Sequence, residues 1–203
     1  MSKQESWEDR YAGEGYLFGT EPNDFLAEEA NRLVPGGRAL AVADGEGRNG
    51  VWLAEQGLDV LSVDFSNNAL TKARALAAER GVAIETQQAD LMQCDWPVAA
   101  FDLVVTFFIH PPSDEQQVLL AAMFQALKPG GLLLFEAYGK TQANNEFGGP
   151  GDPDRCYSAA ILRQALAPAE IMLLEEKTII RRSGRFPGKP GDVVRLIARR
   201  PLA

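Results

Sequence analysis

The sequence predicts an α/β fold, in which a seven-stranded, mostly parallel sheet has helices on both faces and a C-terminal antiparallel hairpin. Apolar runs alternate with segments of helical period five times between residues 39 and 135, which is typical of right-handed crossovers on a parallel sheet. Residues 101–109 are almost unbroken in apolar character, as expected for a strand buried on both faces. Two last apolar runs, 171–180 and 193–199, flank a Gly- and Pro-rich connection and predict the hairpin.

The individual elements follow from apolar spacing and from the residues at their ends. Parallel strands are predicted at roughly 39–43, 60–63, 82–87, 101–109 and 132–135. Helices are predicted at roughly 24–33, 49–56, 66–80, 113–127 and 158–166. Gly57 and Gly81 end two of these helices, and residues 128–131 form a turn before the fifth strand. Residues 139–154 are rich in Gly, Asn and Pro and predict a mobile loop over a site.

Length and charge limit the classes of function. The chain has 203 residues, 46% of them hydrophobic, which predicts a single domain over 1–203 with residues 1–35 as an N-terminal helical lid segment. A net charge of -8 would repel a polyanion, so we expect a small-molecule partner and no nucleic acid. No apolar run approaches the roughly 20 residues that span a bilayer, so no membrane partner is expected. We expect a monomer or homodimer.

Cysteine and histidine usage points to a reducing compartment and to a site without metal. Cys94 and Cys156 form no metal-type pair, and the polar N-terminal stretch lacks a signal-peptide core. Reduced thiols and a cytoplasmic location are therefore expected. His110 is the single histidine, which argues against a His-based zinc site.

A glycine turn followed by an acidic residue is the main functional motif. Gly45, Gly47 and Gly50 follow the first apolar run, and Asp64 ends the second. This spacing is formally a dinucleotide fingerprint, whose acid binds a ribose, and alone it permits an NAD-dependent oxidoreductase. The short chain, Asp90 after the third strand, and the 128–131 turn with the terminal hairpin argue against NAD. In such sheets ligands bind at the carboxyl ends of the strands, where Asp64, Asp90 and His110 are expected.

Several short segments together carry a family resemblance that spans most of the chain. They are 7–11, 18–23, 45–49, 63–66, 89–91, 101–104 and 127–131. With these segments the chain resembles the class I S-adenosylmethionine-dependent methyltransferases, and most of all the small bacterial group related to tellurite-resistance and thiopurine methyltransferases. The resemblance implies a Rossmann-like methyltransferase fold, S-adenosyl-L-methionine as cofactor and methyl transfer to a small molecule.

The resemblance also implies roles for individual residues. Gly45 and Gly47 would pass under the methionine part of the cofactor, and Asp64 would bind its ribose. The other implied cofactor-binding residues are Phe65 and Leu91 at the adenine, Asp90 at its amine, Phe107 near the sulfonium, and Asp44, Arg48, Asn49 and Ser66 around the turn. Ala41 and Ala43 stand where the family usually has an acid and a glycine, and Asp44 is the candidate substitute for that acid.

Acceptor chemistry is less constrained by the sequence. A sulfonium is an activated methyl donor, so a thiol, a chalcogen oxyanion or a similar nucleophile needs mainly proximity and alignment. His110 is the candidate for acid–base help, because imidazole titrates near neutral pH. The residues expected on the acceptor side are aromatic: Trp7, Tyr11, Tyr16, Phe18 and Tyr138. For the four N-terminal ones, a hydrophobic lid that only packs on the domain is an equal alternative.

Two further hypotheses stay open at this point. The alanines at 41 and 43 favour a non-catalytic S-adenosylmethionine-binding or regulatory protein as the alternative to an enzyme. An NAD-dependent oxidoreductase is the third hypothesis. Four basic residues near the hairpin form either an anion-binding spot or solvated surface charge: Arg181, Arg182, Arg185 and Lys189.

Overall fold

The computed structural model describes residues 3–202. Met1 and Ser2 of the predicted lid segment and Ala203 of the predicted domain lie outside the described residues. The strands are β1 (Arg38–Val42), β2 (Asp59–Asp64), β3 (Glu85–Gln88), β4 (Phe101–Phe107), β5 (Leu127–Tyr138), β6 (Glu170–Ile180) and β7 (Pro190–Arg199). The helices are α1 (Lys3–Tyr11), α2 (Asp24–Glu28), α3 (Arg48–Glu55), α4 (Asn67–Glu79), α5 (Ser113–Ala126) and α6 (Ala159–Ala165).

The sheet confirms the predicted fold class. Its strand order is β3-β2-β1-β4-β5-β7-β6. The β1–β2, β2–β3 and β4–β5 pairs are parallel, whereas β5–β7 and β6–β7 are antiparallel. The longest described helix, α5, has 14 residues, and no described helix is both long and apolar enough to cross a bilayer.

The chain forms two compact units. The first contains the described chain up to Cys94 together with Ser183–Arg185, and therefore holds β1 to β3 and α1 to α4. In its sheet Leu40 pairs with Leu61, and Asp64 pairs with Gln88. Its core is apolar, and burial of each leucine there stabilises the unit by about 2 kcal/mol. The most deeply buried leucines are Leu26, Leu40, Leu53, Leu70 and Leu76.

The second unit contains Asp95–Arg182 and the described chain from Phe186, with β4 to β7, α5 and α6. Its strands pair through apolar positions, with Val104 beside Leu133 and Phe135 beside Leu196. An ion pair lies within this sheet, because Glu136 and Arg195 are cross-strand partners and both are buried.

Helix ends follow the sequence signals closely. The Ser66 hydroxyl caps α4 by accepting from the amide of Ala69 at 3.1 Å, and the helix is closed by Arg80 and a left-handed Gly81. Ser158 caps α6 in the same way. The predicted helix over 24–33 is shorter than expected, because α2 ends at Glu28 and a 3-10 turn, Ala30–Arg32, follows it.

The strand prediction for 82–87 is only partly right. Val82 and Ile84 pack against the buried side chains of Val51, Leu76 and Ala77, and β3 begins only at Glu85. The apolar side chains there serve helix packing, whereas the strand itself is polar. Residues 89–100 contain neither helix nor strand, so the predicted alternation of strands and helices is interrupted between β3 and β4.

Two predicted connections also differ. Lys128–Gly131, predicted as a turn, belongs to β5, where the β4–β5 register shifts between the Phe101–Leu127 and Leu103–Leu132 pairs. The shift absorbs the additional residues as a bulge. The predicted loop over 139–154 contains two 3-10 turns, Lys140–Gln142 and Pro153–Arg155. Gln142 is buried there and bonds the Gly148 carbonyl and the Asp192 amide.

Candidate cofactor and acceptor sites

The glycine turn lies between β1 and α3 in the first unit. Gly45 and Gly47 have φ of 59° and 86°, and Gly47 precedes the first residue of α3. A Cβ at Gly47 would lie 2.6 Å from the Ala73 Cβ and 2.8 Å from its Cα. Only glycine fits this position, because both the backbone conformation and the approach to α4 exclude a side chain. Gly47 is therefore required for the close packing of the turn against α4, and its contact with a cofactor stays a prediction.

Ala43 has a backbone conformation that favours glycine. Its φ is 51°, in the left-handed region, which costs an alanine about 1 kcal/mol or more. Ala43 is the position where the resemblance implies a glycine, and its φ lies in the region that glycine adopts without strain.

Asp64 is held against the turn by two backbone hydrogen bonds. Its Oδ2 accepts from the Gly45 amide at 2.9 Å, and its Oδ1 accepts from the Ser66 amide at 2.9 Å. Burial raises the pKa of the carboxyl, and these amides oppose that rise. The Phe65 amide acts on the carboxyl in the same sense, and a carboxylate oxygen can accept more than one hydrogen bond. This arrangement suits a pair of ribose hydroxyls.

Asp44 is turned into the protein at the start of α3. Its carboxylate accepts from the Gly50 amide at 3.1 and 3.2 Å and from the Ser62 hydroxyl at 2.8 Å. A Cβ at Gly50 would collide with the Asp44 Oδ2. The third glycine of the motif therefore leaves space for the Asp44 carboxylate. Burial raises the pKa of Asp44 to about 7. These contacts give Asp44 a role in shaping the turn, and its contact with the cofactor stays a prediction.

Glu46 links the turn to the N-terminal segment, a role that the sequence analysis missed. Its carboxylate accepts from the Leu17 amide at 2.7 Å and from the Lys72 Nζ at 2.8 Å. Lys72 also donates to the carbonyls of Gly13 and Gly15, which satisfies its three protons. The signal that marks Glu46 in the sequence is its place between the two glycines of the turn.

The N-terminal aromatics divide into two groups. Trp7 stacks on Tyr11 at 5.5 Å between ring centroids and lies 6.2 Å from Phe18. The Tyr11 hydroxyl lies 2.8 Å from where a Cβ at Gly45 would be, and burial and the carboxylates of the turn, Asp64 first, raise the pKa of Tyr11. Tyr16 instead packs beside α3 and α4. Trp7, Tyr11 and Phe18 thus gather at the turn, whereas Tyr16 serves packing.

The other residues around the turn make mostly local contacts. The Asn49 Oδ1 accepts from the Asn23 amide at 2.8 Å, which fastens α2 to α3. Arg48 donates to the Ser183 hydroxyl at 3.2 Å. Ser66 is already used as the α4 cap. The structure therefore gives Arg48, Asn49 and Ser66 positioning contacts, and their direct contact with a cofactor stays a prediction.

The predicted adenine-side residues follow β2 and β3. Phe65 and Leu91 are half-buried, and the Phe65 carbonyl accepts from Gln88 at 2.9 Å. Asp90 follows β3 and shapes the next turn, because its carboxylate accepts from the Met92 amide at 3.0 Å and from the Gln93 side chain at 2.9 Å. Their assignment to the adenine stays a prediction.

In the second unit, His110 is held as a neutral imidazole. Its Nδ1 lies 3.0 Å from the Arg155 carbonyl oxygen, which only accepts, so Nδ1 carries the proton. Arg155 donates back to the His110 carbonyl at 3.2 Å. Burial lowers the pKa of His110 to about 4. The Nε2 is buried and has no hydrogen-bond partner within residues 3–202, so its lone pair is unused.

Aromatic rings surround the imidazole of His110. Tyr138 stacks on it at 5.1 Å with a 14° interplanar angle, and the centroids of Tyr157 and Phe108 lie 6.2 and 6.5 Å away. Phe108 has a φ of 59°, a costly conformation for a bulky residue, and turns the chain directly after β4. Phe107, the residue predicted near the sulfonium, is buried at the end of β4.

Arg181 is buried and does not form part of a free basic spot. It donates to the Tyr138 hydroxyl at 3.0 Å, the Phe147 carbonyl at 2.6 Å and the Pro190 carbonyl at 2.8 Å. The guanidinium therefore clamps the hairpin to the segment after β5 and fixes the Tyr138 ring. Arg181 is therefore neither part of an anion-binding spot nor solvated surface charge, because its donors are used inside the protein.

Comparison with known proteins agrees with this geometry. Residues 39–131 match the family model described as "Methyltransferase domain". A demethylmenaquinone methyltransferase of Thermus thermophilus is 31% identical over 99 residues, which cover 48% of this chain and 45% of that protein. The chain spans less than half the length of the curated relatives that it matches first.

Solved structures share the fold over nearly the whole chain. The TehB structure from Haemophilus influenzae has a TM-score of 0.71 at 16% identity, with 98% of this chain and 67% of that chain covered. A methyltransferase structure from Methanosarcina mazei has a TM-score of 0.72 at 17% identity, with 90% of this chain and 100% of that chain covered.

Proposed function

We propose that this chain belongs to the class I S-adenosylmethionine-dependent methyltransferases and transfers a methyl group from S-adenosylmethionine to a small molecule, a proposal that the methyltransferase-domain match over residues 39–131 and the fold support. The observation that carries the proposal is the Asp64 carboxylate beside the glycine turn, bonded to the Gly45 amide at 2.9 Å. This contact brings a carboxylate that could accept ribose hydroxyls beside the glycines of the turn.

The residues of the first unit fit such a cofactor. S-adenosylmethionine is cationic at sulfur, and four carboxylates lie in or beside the turn. Three of them are buried, Asp44, Glu46 and Asp64, and Glu8 of α1 acts electrostatically on Asp64. The Tyr11 hydroxyl lies beside Gly45 and adds a polar group at the turn. Lys72 neutralises Glu46 and Asp44 is only partly charged at neutral pH, so Asp64 and Glu8 are the carboxylates that would attract the charged donor.

In the proposed reaction the main task of the protein is to position the cofactor and the acceptor. The cofactor, when bound, supplies a methyl group already activated for in-line displacement. This chain's residues would align the acceptor and exclude water. His110, held in one tautomer by the Arg155 carbonyl, would contribute a neutral acceptor nitrogen. We propose a thiol, a chalcogen oxyanion or a similar nucleophile as the acceptor, because such groups need mainly alignment with an activated methyl donor.

Calorimetry with S-adenosylmethionine, S-adenosylhomocysteine and NADH tests the cofactor. We expect both sulfur nucleotides to bind and NADH not to bind. Asp64→Asn removes one acceptor site at the turn and should weaken binding at least about tenfold. Asp59→Asn, at the exposed start of the same strand, is the matched control and should leave affinity unchanged.

Two outcomes would contradict the proposal. If neither sulfur nucleotide binds folded protein, the cofactor assignment is wrong. If they bind but no methyl transfer occurs across a panel of thiols, chalcogen oxyanions and amines, the non-catalytic binding protein becomes the better reading. Circular dichroism of each variant separates loss of binding from loss of fold.

A further inference from the structure

We infer that β6 is an interaction surface for a second copy of this chain, and that the two β6 strands pair antiparallel about a two-fold axis at Glu176. This inference does not depend on the cofactor or on the acceptor. It comes from three features of the second unit: an unpaired strand edge, a self-complementary order of side chains along that edge, and a row of alternating charge that ends there.

β6 is the last strand of the sheet. Among the described residues it pairs with β7 on one side and with no strand on the other. Its 11 residues make it long for an edge strand, and all of them are half-buried or exposed. Met172 and Ile180, 39% and 62% exposed, leave apolar surface near its two ends. A long edge of this kind presents backbone donors and acceptors that pair readily with another strand.

Symmetry limits how two copies of β6 can pair. In an antiparallel pair, residues directly opposite each other lie on the same face of the sheet. When the strands are identical and related by a two-fold axis, one residue must therefore lie opposite its own copy. A bulge near the start of β6 leaves residues 173–180 as its regular part. The axis positions that pair most of this part are Glu175, Glu176 and Lys177.

The arrangement centred on Glu176 fits the side chains best. Each of the three positions sets one charged residue opposite its own copy, so the flanking pairs decide. Centring on Glu176 sets Glu175 opposite Lys177 twice, and it also sets two apolar pairs of Leu173 with Ile179. Centring on Glu175 would set Leu173 opposite Lys177, and centring on Lys177 would set Glu175 opposite Ile179. Both alternatives lose the opposite-charge pairs and the apolar pairs.

The two Glu176 carboxylates at the axis are the unfavourable part of this arrangement. Like charges directly opposite each other destabilise a strand pair. The Oε1 of Glu176 accepts from the Ala159 amide at 2.6 Å, so the carboxylate is drawn toward α6 of its own copy. The contact with α6 and the two flanking opposite-charge pairs offset the repulsion.

A row of alternating charge crosses the sheet and ends at β6. Glu136 of β5 is the cross-strand partner of Arg195 in β7, and Arg195 is the partner of Glu175 in β6. Cross-strand partners share a face, so the row reads negative, positive, negative. Lys177 of a second copy would supply the next positive charge. Within one copy Lys177 contacts Glu175 along the strand at 2.9 Å, in an ion pair that solvent reaches. This charge pattern favours a second copy as the partner.

Sedimentation of the 203-residue chain over a range of concentrations tests the inference. We expect a species of twice the 22.1 kDa chain mass. Lys177→Glu should raise its dissociation constant at least about tenfold, because two attractive cross-strand pairs become repulsive. Lys128→Glu is the matched control, since Lys128 is a similarly exposed lysine with an ion-pair partner in the same unit, and it should leave the dimer unchanged. A chain that is monomeric at about 0.1 mM, or a dimer that both variants affect alike, would overturn the inference.

Mixing two variants tests the register itself. Glu175→Lys and Lys177→Glu each set like charges opposite one another in their own dimers, whereas in a mixed dimer positions 175 and 177 carry opposite charges at both contacts. We expect each variant alone to be monomeric and a one-to-one mixture to dimerise about as tightly as the wild type. Arg195 keeps its buried partner Glu136 in both variants, and circular dichroism checks their folds. Folded variants that form no mixed dimer would refute the register.

Amide hydrogen exchange of the wild type decides the matter if a variant does not fold. Backbone amides of β6 that point away from β7 are unprotected in a monomer and protected in the dimer. Residues 170–180 should therefore exchange faster when dilution dissociates the dimer, whereas β3, at the other edge of the sheet, should not change. Exchange from residues 170–180 that does not depend on protein concentration would contradict the inference.

Discussion

Asp44→Asn should remove a pH dependence that the buried Asp44 imposes on stability. In the folded protein the pKa of Asp44 is raised to about 7 from its usual 3.8, because burial disfavours the charge. The folded state therefore binds more protons than the unfolded state between these values. Stability is highest below the unfolded pKa and falls as the pH rises toward the folded one. The asparagine oxygen still accepts from Gly50, and its amide donates to the Ser62 hydroxyl.

The size of the effect follows from the shift. About three pKa units correspond to about 4 kcal/mol in total, of which about 2.5 kcal/mol is lost between about pH 5 and about pH 8. We expect the free energy of unfolding of Asp44→Asn to rise by that amount relative to wild type between these two pH values. Urea unfolding followed by circular dichroism at both pH values measures it, and other titrating groups cancel in the comparison. Parallel pH profiles for the variant and the wild type would refute the reasoning.

Three other perturbations have defined outcomes. Gly47→Ala should destabilise the first unit by more than about 2 kcal/mol in urea unfolding, because a Cβ meets the α4 backbone. Gly81→Ala, also left-handed but with open space around it, should cost only about 1 kcal/mol, and equal losses would contradict the packing argument. Glu136→Gln leaves Arg195 buried without its ion pair and should cost about 3–5 kcal/mol by thermal or urea unfolding; a neutral result would count against it. The free energy of unfolding of His110→Phe should rise by about 2 kcal/mol relative to wild type as the pH falls from about 8 to about 5. The reason is that protonation of a histidine with a pKa lowered to about 4 opposes folding. A stability difference that does not change with pH would contradict this sign.

The order of elements was predictable because it depends on local pattern. Apolar runs gave the positions of β1, β2 and β4, and a serine at the start and a glycine at the end marked α4. Predictions failed where apolar residues served another purpose. Val82 and Ile84 look like strand residues in the sequence but pack against helices, which sequence spacing alone does not distinguish.

The candidate sites were predictable in position but not in contacts. The sequence indicated Gly45, Gly47 and Asp64 as one motif, and the Gly45–Asp64 hydrogen bond joins them. It did not indicate the link from Glu46 to Lys72, because the two residues are 26 positions apart and meet only through packing. For Arg181 the sequence predicted a surface position, because it belongs to a basic cluster. In the structure its donors are used inside the protein.

By itself, the sequence determined the α/β class, the place of the glycine turn and the acid that ends the second strand. These features are local, since side-chain period and backbone freedom are properties of neighbouring residues. The tertiary structure alone decided that Asp44 turns inward toward Gly50 and Ser62, and that His110 has a fixed proton and an unused nitrogen. Those outcomes depend on which distant carbonyls, amides and hydroxyls are brought within hydrogen-bonding distance, and on how much water is excluded around them.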